Sequence, residues 1–101
     1  MSKKEKEDKK FLSEIFVDDK ELRNNNIEYP IKLEYYRIMS KENKYGIEII
    51  KKEYRKETIK IENEKIINIT KDKKFINDLI YKLKENLVTP IGLKDVVREI
   101  I

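Results

Sequence analysis

The chain has no cysteine, histidine, tryptophan or alanine, and only two glycines and two prolines in 101 residues. Without cysteine there are no disulfides, no thiolate nucleophile and no thiolate metal ligand, so the fold must rest on packing alone. Without histidine the chain lacks the one side chain that ordinarily changes charge between about pH 5 and 8. No apolar run approaches the ~20 residues of a membrane span, and the charged N-terminus is not followed by an apolar signal region of ~7–15 residues. These absences place the protein in the cytoplasm, with neither cofactor nor metal expected.

Charge is abundant but nearly balanced. Lysine and arginine total 24 against 20 acidic residues, a net charge of +4. Twenty of the cations are lysine, whereas base-reading surfaces favour the planar fork of arginine. Such a composition permits nucleic acid without recommending it. One domain fits the length, with room for a modest core. Residues 1–10 hold five lysines, three acids and no apolar residue after Met1, which reads as a disordered lysine-rich tail ahead of a single domain over 11–101.

In the domain, Phe11 to Leu22 fits either a helical stripe or a short strand. β-Branched and aromatic content favours the strand. Arg23-Asn24-Asn25-Asn26 follows as a turn or loop. Pro30 opens a strand in which Ile31, Leu33 and Tyr35 alternate with Lys32, Glu34 and Tyr36. Beyond Tyr35 the apolar phase changes, with Ile38 and Met39 of opposite parity, which calls for a bulge or an end covered on both faces. Ser40 to Lys44 is a hairpin loop leading into Tyr45–Lys56. There Tyr45, Ile47 and Ile49 share a face, Gly46 suggests a bulge or the close approach of another element, and Lys51–Lys56 reads as a charged extension into solvent. Two further short strands, 57–61 and 65–69, are expected around a turn at Glu62-Asn63-Glu64.

The last third changes period. Phe75, Ile76, Leu79, Ile80, Leu83 and Leu87 recur at helical spacing after Thr70, a candidate N-cap. Val88-Thr89-Pro90 interrupts, and a second helix carries Leu93, Val96, Val97 and Ile100. The expected architecture is α+β: an antiparallel meander of four or five strands, then two C-terminal helices packed on one face.

Chemistry is sparse. Asp18-Asp19 offers too few oxygens for a cation, Glu62 and Glu64 fall in a turn, and Asp95 and Glu99 alternate with Lys94 and Arg98 on a solvated helix face. Asn68-Ile69-Thr70 matches a glycosylation sequon that is empty without a secretory route. No phosphate loop or nucleophile elbow is present; the protein is not expected to be an enzyme, and no catalytic residue is assigned. Two binding readings remain. Lys51, Lys52, Arg55 and Lys56 around Tyr54 offer phosphate contacts and a stacking platform, though Glu48, Glu53 and Glu57 share the stretch. Adjacent Tyr35 and Tyr36 must point to opposite faces, and with Tyr54 they are candidate contacts for a partner protein. The leading expectation is a regulatory or adaptor protein that binds another protein through the sheet's uncovered face or the terminal helix, as monomer or homodimer; the alternative is a small nucleic-acid binder.

The segments Leu33-Glu34-Tyr35-Tyr36, Tyr45-Gly46-Ile47-Glu48-Ile49 and Val88-Thr89-Pro90-Ile91, with Leu93-Lys94-Asp95-Val96-Val97, resemble a family of short proteins from anaerobic spore-forming bacteria catalogued as a domain of unknown function. The resemblance covers roughly residues 28–101 and implies no catalytic or binding residues.

Overall fold

In the computed structural model, which describes residues 8–18 and 29–100, four antiparallel strands form a meander in the order β1-β2-β3-β4. They are β1 (Asp8–Val17), β2 (Ile31–Met39), β3 (Tyr45–Tyr54) and β4 (Ile59–Thr70), and they are followed by α1 (Lys73–Glu85) and α2 (Pro90–Ile100). The α+β architecture is the one expected from the periodicities, with four strands. The ambiguous segment after Phe11 is strand through Val17. That strand starts at Asp8, so residues 8–10 of the expected tail are paired against β2, as Asp8↔Met39, Lys9↔Ile38 and Lys10↔Arg37. Residues 1–7 of the tail and the expected 23–26 turn lie outside the described residues.

Both helices pack on one face of the sheet. Ile31, Leu33 and Tyr35 of β2, Ile47 and Ile49 of β3 and Val17 of β1 meet Ile76, Leu79, Ile80 and Leu83 of α1 and Leu93 and Val97 of α2 in a single core. The strand residues alternate because successive side chains leave opposite faces, and the helical ones recur every three or four because that spacing makes one stripe. The phase change in β2 is not a bulge in its pairing with β3, which runs unbroken from Ile31↔Glu53 to Met39↔Tyr45. Ile38 is instead buried on the opposite face, at 1% exposure.

Two expectations about β4 and the strand before it need correction. Glu62-Asn63-Glu64 is not a turn: it lies inside a continuous 12-residue strand, paired as Glu62↔Lys51, Asn63↔Ile50 and Glu64↔Ile49. The polar residues are accommodated because tertiary partners satisfy them, with Glu62 near Lys51 at 3.7 Å, Asn63 donating to Glu48 at 2.7 Å and Glu64 near Lys94 at 3.2 Å. Nor do Lys51 to Tyr54 run out into solvent. They belong to a strand paired on both sides, by β2 through Glu53 and by β4 through Tyr54↔Ile59.

Gly46 fulfils both of its expected roles. Pairing passes from Tyr45↔Thr70 to Ile47↔Ile66, so three residues of β4 stand opposite Gly46 alone. One of them, Asn68, takes a left-handed φ of 56°, which asparagine tolerates better than most side chains. The cap of α1 is Asp72, not Thr70: its carboxylate accepts from Phe75 N at 3.1 Å, while the Thr70 hydroxyl accepts from Asp72 N. After Asn86 the chain turns through Leu87 at φ 53°, with Val88 N donating to Leu83 O and Leu87 N to Lys84 O. This paired closure satisfies the last helical carbonyls and swings the chain into Pro90.

Candidate functional site

The face of the sheet turned away from the helices carries a mixture of exposed apolar groups and nearly buried charge. Register fixes its rows. Phe16, Lys32, Lys52 and Ile61 lie across all four strands; beside them Tyr54 faces Ile59. The next row is Glu14, Glu34, Ile50 and Asn63, and the one after is Phe11, Tyr36, Glu48 and Lys65.

At the centre sit two glutamates, Glu34 and Glu48, each only 6% exposed. A carboxylate buried to this degree must be hydrogen-bonded or paired. Glu34 accepts from the Tyr36 hydroxyl at 2.9 Å and lies 3.3 Å from Lys32 and 3.2 Å from Lys52. Glu48 is held by Lys9 at 3.1 Å and by Asn63 at 2.7 Å. Lys32 and Lys52 are directly opposite across β2 and β3, a repulsive arrangement that the carboxylate between them offsets. The Lys32 ammonium is raised in pKa, chiefly by its hydrogen bond to Glu34. Lys32 and Lys52 stand between Phe16 and Ile61 in their row, and their ammonium groups reach Glu34.

Ring contacts extend the network. Phe11 meets Tyr36 edge-on with centroids 5.6 Å apart, Lys9 sits 4.7 Å over the Tyr36 ring, and Phe16 approaches Tyr54 at 6.1 Å. Burial pushes the Tyr36 phenol up to about 12, helped by its bond to Glu34 and by the negative charge of Glu34 and Glu48. For Glu34 burial acts upward, but the hydrogen bonds from Tyr36, Lys52 and Lys32 outweigh it and the net shift is downward.

These shifts set an expected pH profile. Unfolded tyrosine titrates near about pH 10, below the folded value for Tyr36, so stability is intact below about pH 10 and is lost as pH rises toward about 12. Glu34 has the opposite sign: its contribution is present above the ordinary carboxylate range and is lost as pH falls through its lowered pKa. Thermal melts from pH 9 to 12 should show a falling midpoint, with a shallower slope in Tyr36→Phe. Tyr35, raised by its own burial, retains the remainder.

Of the residues singled out in the sequence, Tyr36 and Tyr54 reach this face, both half-buried. Tyr35 does not. It is 0% exposed on the helix side, its hydroxyl donating to Val88 O at 2.9 Å, so its place is the core and not a partner contact. The basic cluster is not gathered into one surface. Lys51 leaves the helix side of β3 toward Glu62 at 3.7 Å, Lys52 leaves the open side toward Glu34, and Arg55 pairs with Glu53 at 2.9 Å, leaving Lys56 exposed in the turn. Asp18 is exposed, and Asp19 lies outside the described residues. Phe11, Phe16, Glu34, Glu48, Lys32 and Ile61 were not legible as a group. Each has the right parity within its own strand, but only cross-strand register brings them together.

Fold and face together define a small two-layer α+β domain with a meander sheet covered on one side by two helices. The chain belongs to a family of unknown function, DUF6514, which matches residues 8–101. The match therefore takes in β1, which the resemblance read from the sequence left out. No curated protein and no solved structure matches the chain. Among the described residues no helix is long and apolar enough to cross a membrane.

Proposed function

We propose that this protein is a non-enzymatic cytoplasmic adaptor or regulator that binds an apolar, acid-flanked segment of another protein on the open face of its sheet. The observation that carries this reading is the apolar cluster at one end of that face. Phe16, Ile59 and Ile61 are 57%, 53% and 60% exposed; Ile59 and Ile61 lie two apart on β4, and Phe16, across the sheet on β1, reaches toward them through its ring contact with Tyr54, which stands opposite Ile59. Scattered exposed apolar residues need no explanation, whereas a contiguous set marks an interaction surface.

Charge argues for the partner's chemistry. Glu34 and Glu48 lie beneath the surface, so an incoming chain meets mostly ammonium groups, those of Lys9, Lys32, Lys52 and Lys65, against the exposed carboxylate of Glu14. The molecule is a slab of 43 × 35 × 19 Å, and its broad side can accommodate the ~800 Å² per partner of an ordinary protein interface.

The test is a photo-crosslinking residue at position 61, compared with one at Tyr81 on the helix side, in the anaerobic spore-forming cell that the sequence resemblance implies. A defined heterologous protein should be captured from position 61 only, and Phe16→Glu should abolish the adduct while leaving the melting temperature within a few degrees. Capture of a second copy alone, of nucleic acid alone, or equally from both positions would defeat the proposal.

A further inference from the structure

A second feature lies on the helix side, where the start of β1, the end of β2, the start of β3 and the first residue of α1 line a half-open cavity of about 390 Å³ formed by Asp8, Lys9, Lys10, Arg37, Met39, Tyr45 and Lys73. The Lys9 ammonium is turned away to Glu48. Lys10, Arg37 and Lys73 remain as cations, with Asp8 the one carboxylate on the wall.

Several cations elsewhere in this protein have carboxylate partners: Lys32 and Lys52 share Glu34, Lys51 has Glu62, Lys94 has Glu64 and Lys74 has Asp78. Here they do not. Arg37 is anchored by neutral groups, donating from Nη1 to Asn77 Oδ1 at 2.8 Å and lying 5.3 Å over the Tyr45 ring. Among the described residues neither it, Lys10 nor Lys73 forms an ion pair with a carboxylate. The guanidinium is thus oriented without being neutralised.

Two local rules are also broken at this spot. Lys10 stands directly opposite Arg37 across β1 and β2, and like charges so placed repel. Lys73 opens α1, whose only carboxylate at this end is the cap Asp72 and whose first turn holds no acidic residue, although the positive end of a helix disfavours cations. Departures from local preference that share one location are characteristic of a functional site. An anion in the cavity would relieve both.

We propose that this cavity binds the dianionic phosphate group of a small phosphate monoester. The three cations and Asp8 leave a charge of +2, which matches a dianion. The arginine fork supplies paired donors to phosphate oxygens, and the volume lies within the range of small-molecule sites, leaving room for an organic substituent beyond the phosphate. Tyr45 and Met39 provide a wall of apolar surface for that substituent.

The experiment is an NMR titration of the full chain with phenyl phosphate, inorganic phosphate and, at matched ionic strength, sodium chloride. Saturable shifts should be confined to Lys10, Arg37, Tyr45 and Lys73, with phenyl phosphate at least as tight as inorganic phosphate. Lys73→Gln should raise Kd about tenfold, as expected for loss of a charged hydrogen bond. Lys74→Gln, next in sequence but paired with Asp78, should change it less than twofold. Lys73→Glu is the most telling variant. It should abolish phosphate binding yet melt higher than the native chain in phosphate-free buffer, because an acid favours the start of a helix. Unsaturated shifts spread over all lysines, undiminished binding in Lys73→Glu, or binding of inorganic phosphate with exclusion of the monoester would overturn the assignment.

Discussion

Gly46→Ala should destabilise the protein by about 3 kcal/mol or more, while the same change at the other glycine should stabilise it. A Cβ at position 46 would collide with the carbonyl oxygen of Ile66 and stand 2.7 Å from Ile67 Cα. Both obstacles are backbone, so relief requires the bulge of β4 to move, not a side chain to rotate. Overpacking of a native interior typically costs about 1–3 kcal/mol, and a clash with main chain belongs at or above the top of that range. At Gly92 nothing lies within 4 Å of the added carbon and φ is not positive. Alanine there, in the first turn of α2, removes the entropic cost of a helical glycine, a gain of up to about 0.5–1 kcal/mol. Urea denaturation of both variants measures the contrast. Equal and small effects would show that β4 slides freely past Gly46.

The other large effect is expected at Tyr35. Its side chain is wholly buried between sheet and helices, and its hydroxyl donates to Val88 O in the link between α1 and α2. Tyr35→Ala should cost about 3–5 kcal/mol through lost burial and the cavity left behind. Tyr35→Phe keeps the ring and strands the Val88 carbonyl, for about 1–2 kcal/mol. Guanidinium denaturation separates the two. Amide exchange should locate the second effect in the 86–90 link, because Tyr35 ties that link to the sheet. A Phe variant as unstable as the Ala variant would mean that the hydroxyl, and not the ring, holds the core.

Several features were legible in the chain because they depend on local spacing. Ile31, Leu33 and Tyr35 alternate, and Ile76, Leu79, Ile80 and Leu83 recur at three and four; each pattern is the signature of one buried face. The hairpin at 40–44 and the break before Pro90 follow from turn chemistry and from the geometry that proline forbids. Where the reading failed, the missing information was non-local. Glu62-Asn63-Glu64 looks like a turn because its polar side chains have nothing nearby to bond. Lys51, Glu48 and Lys94 supply their partners from 11, 15 and 30 residues away. Lys51 to Tyr54 looked like a free end because no sequence pattern reveals that a strand is paired on both sides.

By itself, then, the sequence determined the alternating strands at 31–35 and 45–49, the two C-terminal helices, the α+β class and the absence of thiol and imidazole chemistry, all of which follow from composition and from periods of two and 3.6. The tertiary structure alone decided which charges meet. It sent Lys51 and Lys52 to opposite faces, placed Glu34 between Lys32 and Lys52, buried Tyr35 while leaving Phe16 and Ile61 exposed, and left Arg37 facing Lys10 without a carboxylate. Cross-strand register makes these choices, and register is fixed only when the whole core packs: a shift of one residue would turn every side chain of a strand to the other face.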